Sequence, residues 1–203
     1  MKRAFWIPVV FTALMWIIHL LREIYHIDPM IFAIHPRDLN SLAGIFFSPL
    51  VHGSWEHLLS NTVPILLLGV LVFVIYDKIA TRVWILNYIL TGTLVWLFAR
   101  DSYHIGASGI IYGLASFLLF SGFFRMDIRA IAIASGVAIF YGGLVWGILP
   151  IQPGVSWESH LSGGIVGLIL AFLFRNKHKD VVVEEHENEK RERKTFDDYL
   201  DSR

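Results

Sequence analysis

Three short clusters of polar residues open otherwise apolar runs. The first is His52-Gly53-Ser54-Trp55-Glu56-His57-Leu58-Leu59-Ser60-Asn61, where His57 and Asn61 stand four apart and so share a helical face. The second is Gly106-Ala107-Ser108-Gly109, with Tyr112 one turn beyond Ser108, and the third is Glu158-Ser159-His160-Leu161-Ser162-Gly163. A serine and a histidine are enough for nucleophilic catalysis. The imidazole takes the hydroxyl proton as the oxygen attacks a carbonyl, then hands it to the leaving amine. Asn61 and His57 would donate hydrogen bonds to the tetrahedral oxyanion, helped by the backbone N–H at Ser108 and the partial positive charge of a helix N-terminus. Glu158 is the sole nearby carboxylate on the run that carries His160, and at two residues' distance it falls on another helical face. A Ser108–His160 dyad is therefore expected, not a triad.

The elements that must position these residues are membrane helices. Of 203 residues, 55% are hydrophobic and 17% charged, with mean hydropathy +0.58; soluble domains carry roughly 25% charged residues. Half of the 34 charged side chains, 17, crowd into residues 175–203. Residues 1–174 are too poor in charge for a soluble enzyme and suit a lipid bilayer. A span needs about 20 mostly apolar residues, and the chain offers six candidates, at 4–21, 58–76, 83–99, 105–124, 130–150 and 159–174. The first reads as a retained helix, because Trp16-Ile17-Ile18-His19-Leu20 stands where a signal peptide would carry small residues. Net charge +0 gives no reason to expect nucleic acid as a partner. Cys 0 removes disulfides, thiolate metal sites and a cysteine nucleophile, and no metal or cofactor is expected.

Positive residues stay cytoplasmic. One side of the alternating spans collects Lys2, Arg3, Lys78, Arg82, Arg125, Arg129, Arg175, Lys177 and Lys179, the other Arg22, Arg37 and Arg100. Both termini are thus expected in the cytoplasm, and the second, fourth and sixth spans run inward from outside. All three polar clusters then lie at outer helix ends, at one depth. Residues 24–54 form a long outer loop rich in apolar side chains, expected to lie against the helices and partly in the membrane, where protein must cover its backbone. The tail, 175–203, is expected to be a disordered cytoplasmic segment.

Each cluster alone has a plain structural reading. A Gly-rich helix start packs closely, a His and an Asn one turn apart link helices, and a lone His at a helix end is interfacial; His19, His26, His35 and His104 are read as residues at interfaces or in loops. Three such clusters at one depth argue for a site. Gly109 and Gly113 on the fourth span, and Gly163 and Gly167 on the sixth, form small-residue ridges that would let Ser108 approach His160.

His57-x-x-x-Asn61, Gly106-x-Ser108-Gly109 with Tyr112, and His160-x-x-Gly163-x-x-x-Gly167 on six helices resemble the rhomboid family of intramembrane serine proteases, over residues 45–174. The resemblance implies an all-α, six-transmembrane-helix bundle, 1–174, that hydrolyses peptide bonds in transmembrane helices of substrate proteins. It implies Ser108 as nucleophile, His160 as base and Tyr112 stacked on His160. His57 and Asn61 would line the oxyanion hole, with His52 close by. It also implies that residues 130–157 gate substrate entry, and that the protein resides in a bacterial cytoplasmic membrane. The Trp-Arg pair in the first loop of many relatives is missing around residues 39–49. Two other readings compete: a non-proteolytic rhomboid-like helix binder, and a metal transporter using His52, His57 and His160. A zinc-type intramembrane protease would need His-Glu-x-x-His, which the chain lacks.

Overall fold

A computed structural model describes residues 6–126, 128–151, 154–176 and 193. The expectations for residues 177–192 and 194–203 of the tail, and for Lys2 and Arg3, lie outside the described residues. The described chain is mainly helical, with α1 (Trp6–Tyr25), α2 (Gly44–Phe47), α3 (Trp55–Ile75), α4 (Asp77–Phe98), α5 (Ser108–Arg125), α6 (Ile128–Tyr141) and α7 (Trp157–Leu173). A 3-10 segment, Gly142–Ile148, continues α6. Five helices are long and apolar enough to cross a membrane, namely α1, α3, α4, α5 and α6 with its 3-10 extension; α7, at 17 residues, is shorter.

Helix ends follow local chemistry. His26 takes a left-handed conformation (φ 53°) and the Ile27 N–H reaches the Arg22 carbonyl at 3.0 Å, a six-residue closure that stops α1. Ser54 caps α3 by accepting from the His57 N–H at 3.1 Å. Tyr76 alone separates α3 from α4, and left-handed Met126 (φ 55°) ends α5.

α5 is the central helix, packed on α7, α6, α3 and α4. Its faces meet Leu58, Ile65, Leu68 and Val72 of α3 and Val166 and Leu170 of α7 in one apolar core. The outward faces are apolar too: Val10, Ile17, Leu59, Val63, Ile85 and Ile169 are all exposed. In water that surface would drive aggregation; in hydrocarbon it costs nothing.

The sequence of the long outer loop predicts a segment covered by protein, and residues 26–54 are tied down along their length. Ile34 pairs with His104 through two backbone hydrogen bonds of 3.0 and 2.9 Å. The Arg37 N–H donates to Trp96 O at 2.9 Å, and its guanidinium to Ala99 O at 2.8 Å. The Trp96 indole donates to Asp38 O at 3.0 Å, and the Tyr88 hydroxyl donates to Phe46 O. Phe46 and Phe47 stay exposed. These contacts give the loop an anchorage of its own where the Trp-Arg pair is absent.

Candidate active site

Gly106 sets where α5 begins. Its φ of +103° suits glycine alone, and an added Cβ would lie 2.6 Å from His57 Nε2, so both conformation and space require glycine. The loop before α3 pins this turn: the Gly106 N–H donates to Ser48 O at 2.8 Å, and the Ala107 N–H approaches His52 Nε2 at 3.4 Å. α5 then starts at Ser108, three residues later than the sequence places its span, since the Gly106 turn forbids an earlier start. No side chain caps α5, so its first-turn N–H groups are not taken up by a capping group.

Close packing of α5 on α7 brings the serine to the histidine. A Cβ at Gly163 would collide with the Gly109 carbonyl oxygen, and one at Gly167 with that of Gly113; a Cβ at Gly113 would strike Asn87. The small-residue ridges thus meet backbone to backbone. Asn87 of α4 is fully buried and donates to the Ile110 carbonyl at 2.9 Å, tying α4 to the same turn of α5.

In the resulting geometry His160 Nε2 lies 2.9 Å from Ser108 Oγ. Tyr112 stacks on the imidazole, ring centroids 4.1 Å apart and planes 5° from parallel. His160 Nδ1 lies 2.8 Å from the Gly147 carbonyl oxygen. Glu158, by contrast, is buried and paired with Arg100 at 3.3 Å. The carboxylate nearest in sequence to His160 is thereby committed to another partner.

His57 and Asn61 share the inner face of α3 as their spacing predicts. The Asn61 amide donates to His57 O at 2.7 Å, and its buried Oδ1 has no hydrogen-bond partner among the described residues. The His57 ring covers Gly106 and meets His52 edge-on at 4.9 Å. His52, Ser108, His160 and Tyr112 are therefore brought to one place, with His57 against the turn that starts α5. His104 lies in the loop between α4 and α5, and both it and His19 are buried, His19 against Trp55 and His104 with Nδ1 2.6 Å from Ser156 Oγ. Ser156 caps α7, so His104 secures the entry to the helix carrying His160. Residue type alone does not reveal Gly147, Asn87 or the His104–Ser156 contact, since each works through backbone or a distant loop.

Burial pushes His52 down to about 3, with the His57 ring beside it adding to the effect, and burial also lowers His104. The folded protein therefore binds fewer protons than the unfolded chain between the ordinary histidine value and these depressed ones. The contribution of these two histidines to stability is fully present above the ordinary histidine value and is lost as pH falls through the depressed ones. Thermal unfolding in detergent should show a midpoint that declines over this window, and His52→Gln should flatten the decline. A midpoint independent of pH would contradict neutral burial of His52.

The Rhomboid domain family model matches residues 39–177. An uncharacterized protein of Mycobacterium tuberculosis is 34% identical over 188 residues, 85% of this chain and 78% of that protein. One from Mycobacterium leprae is 33% identical over 175 residues, 80% and 68% of the two chains. RHOMBOID-like protein 4 of Arabidopsis thaliana is 31% identical over 130 residues, 61% of this chain and 32% of that protein. The match covers every element that positions Ser108 and His160, and the apolar helices make this a multi-pass membrane protein. On these grounds the chain belongs to the rhomboid family.

Proposed function

We propose that this protein is an intramembrane serine endopeptidase that cuts transmembrane segments of substrate proteins near their outer ends. The single observation carrying the proposal is the 2.9 Å approach of His160 Nε2 to Ser108 Oγ inside a bundle of apolar helices. Family membership supports it, because the family is generally proteolytic. In this reading six helices, α1, α3, α4, α5, α6 and α7, cross the membrane with both termini cytoplasmic, in a bacterial inner membrane. Residues 24–54 rest partly in the outer leaflet.

Ser108 attacks the scissile carbonyl as His160 takes its proton; the same imidazole then protonates the leaving amine, and water repeats the cycle on the acyl-enzyme. The oxyanion forms against the α5 N-terminus, where backbone N–H groups and the helix dipole favour negative charge. Asn61 retains a second amide hydrogen, and the His57 ring lies against the turn before Ser108. Each would add a donor. Asn61→Ala should therefore slow turnover by about 10- to 1,000-fold without abolishing it, the range for loss of one oxyanion donor. Unchanged kcat in purified protein would assign Asn61 to helix packing instead.

Among the described residues no group of three or more His, Cys, Asp or Glu is placed to hold a metal ion. The test is cleavage of a reporter protein with one transmembrane helix, with products located by mass spectrometry. His160 enters the membrane on the first turn of α7, about 4.5 Å past its start at 1.5 Å per residue. A regular helix hides its carbonyls in hydrogen bonds, which are costly to open in hydrocarbon. Cuts should fall in the outer part of the substrate helix, and replacing a Gly or Pro below the cut with Leu should slow them. Cuts mainly in the cytoplasmic half would overturn both the depth and the orientation.

A further inference from the structure

We infer that the carbonyl oxygen of Gly147 is the positioning acceptor that holds His160 in the tautomer Ser108 requires, standing where a carboxylate stands in a triad. The inference rests on the proteolytic reading for its consequence, but not for its geometry. A carbonyl can only accept a hydrogen bond, so at 2.8 Å it selects the form of His160 with its hydrogen on Nδ1. A neutral imidazole carries one N–H. Nε2 is then left with its lone pair facing Ser108 Oγ at 2.9 Å, the state a general base needs. Tyr112, stacked flat on the ring, fixes its plane but offers no preference between the two nitrogens. Without the carbonyl, the hydrogen could sit on Nε2 and point at the serine oxygen, and no proton could be taken.

Glycine is needed at 147 for space. An added Cβ would run into the Tyr112 hydroxyl and lie 3.1 Å from His160 Nδ1, so a side chain there would push the carbonyl off the ring. The acceptor also comes from a loosely held part of the fold. Among the described residues, Ala130 and Val137 alone are buried on α6, and none is buried on its 3-10 extension, Gly142–Ile148. That extension packs on α7, which carries His160. The dyad is consequently complete only while residues 142–148 stay seated, and outward movement of this segment releases the tautomer and disables the base.

The experiment is 15N NMR of protein labelled at histidine nitrogens, in detergent near neutral pH, for wild type, Ser108→Ala and Gly147→Ala. His160 is expected in the Nδ1–H form in wild type and equally in Ser108→Ala, because the carbonyl and not the serine sets it. Gly147→Ala should show both tautomers and a kcat lowered about tenfold or more with KM unchanged, as loss of alignment at a reacting group predicts. An Nε2–H or evenly mixed signal in Ser108→Ala overturns the inference without any change at residue 147. So does a Gly147→Ala protein that keeps both the Nδ1–H signal and wild-type kcat. The tautomer is read without a substrate, so a protein with the expected signal that cuts no transmembrane helix would sink the proteolytic reading and leave the inference standing.

Discussion

Alanine at either Ser108 or His160 is expected to reduce cleavage of a transmembrane substrate by about 10⁴-fold or more, to background, with expression and fold retained. The two residues act as a unit, so removing one removes the proton transfer as completely as removing both. The double variant should therefore be no worse than either single. Fold should survive because α5 and α7 meet chiefly through glycine backbone, to which the Ser108 hydrogen bond and the His160 contacts with Tyr112 and Gly147 are additions. His160→Ala leaves a gap beside Tyr112, for which a stability loss of about 2 kcal/mol or more is reasonable. Activity in detergent, normalised to folded protein by size-exclusion profile, is the measurement. Near wild-type turnover in either variant would remove that residue from the mechanism.

Gly163→Ala is expected to be nearly as damaging, although it touches neither reacting group. Its Cβ would collide with the Gly109 carbonyl oxygen, one residue from Ser108 on α5. Backbone cannot rotate aside as a side chain can, so α5 and α7 must part. A displacement of about 1 Å at a reacting pair costs on the order of 100-fold in rate, and the 2.9 Å contact between Ser108 and His160 spans this same seam. Turnover should fall by about 100-fold or more, and the unfolding midpoint should drop as well. Gly164→Ala is the matched control: a Cβ there meets nothing within 4 Å, and both quantities should stay at wild type. Equal behaviour of the two variants would refute the close-packing account.

Much of this arrangement was legible in the sequence because a membrane makes polar residues conspicuous. Ser108, His160, His57 and Asn61 stand out against runs that have almost no other ionisable group, and four-residue spacing assigns glycines and polar residues to faces. Most helix limits were legible to within about four residues, and the exceptions have physical causes. α4 begins at Asp77, six residues before the expected start at 83, because Asp77, Lys78 and Arg82 lower the hydropathy of its first turns without stopping the helix. α5 starts at Ser108 because Gly106 turns with positive φ, and α6 gives way to a 3-10 segment at Gly142 while remaining apolar. Hydropathy registers composition, not the hydrogen-bond pattern. The burial of His104 and His19 was not legible, because nothing local shows that the outer loop folds over one and Trp55 over the other. The Gly147 carbonyl was out of reach because every residue has a carbonyl, and only tertiary packing selects one.

The most direct test is to treat the purified protein with a fluorophosphonate, which reacts with an activated serine hydroxyl, and to locate the adduct by peptide mass spectrometry. Two serines face a histidine whose other ring nitrogen meets a carbonyl: Ser108, 2.9 Å from His160 Nε2, and Ser156, 2.6 Å from His104 Nδ1. The Ser156 hydroxyl is already engaged at the α7 cap and with Ser159 Oγ, which leaves Ser108 as the nucleophile. The expected result is a single adduct on Ser108, absent in His160→Ala, and loss of substrate cleavage in proportion to labelling. An adduct on another serine, or cleavage that persists in fully labelled protein, would contradict the assignment of Ser108 as nucleophile.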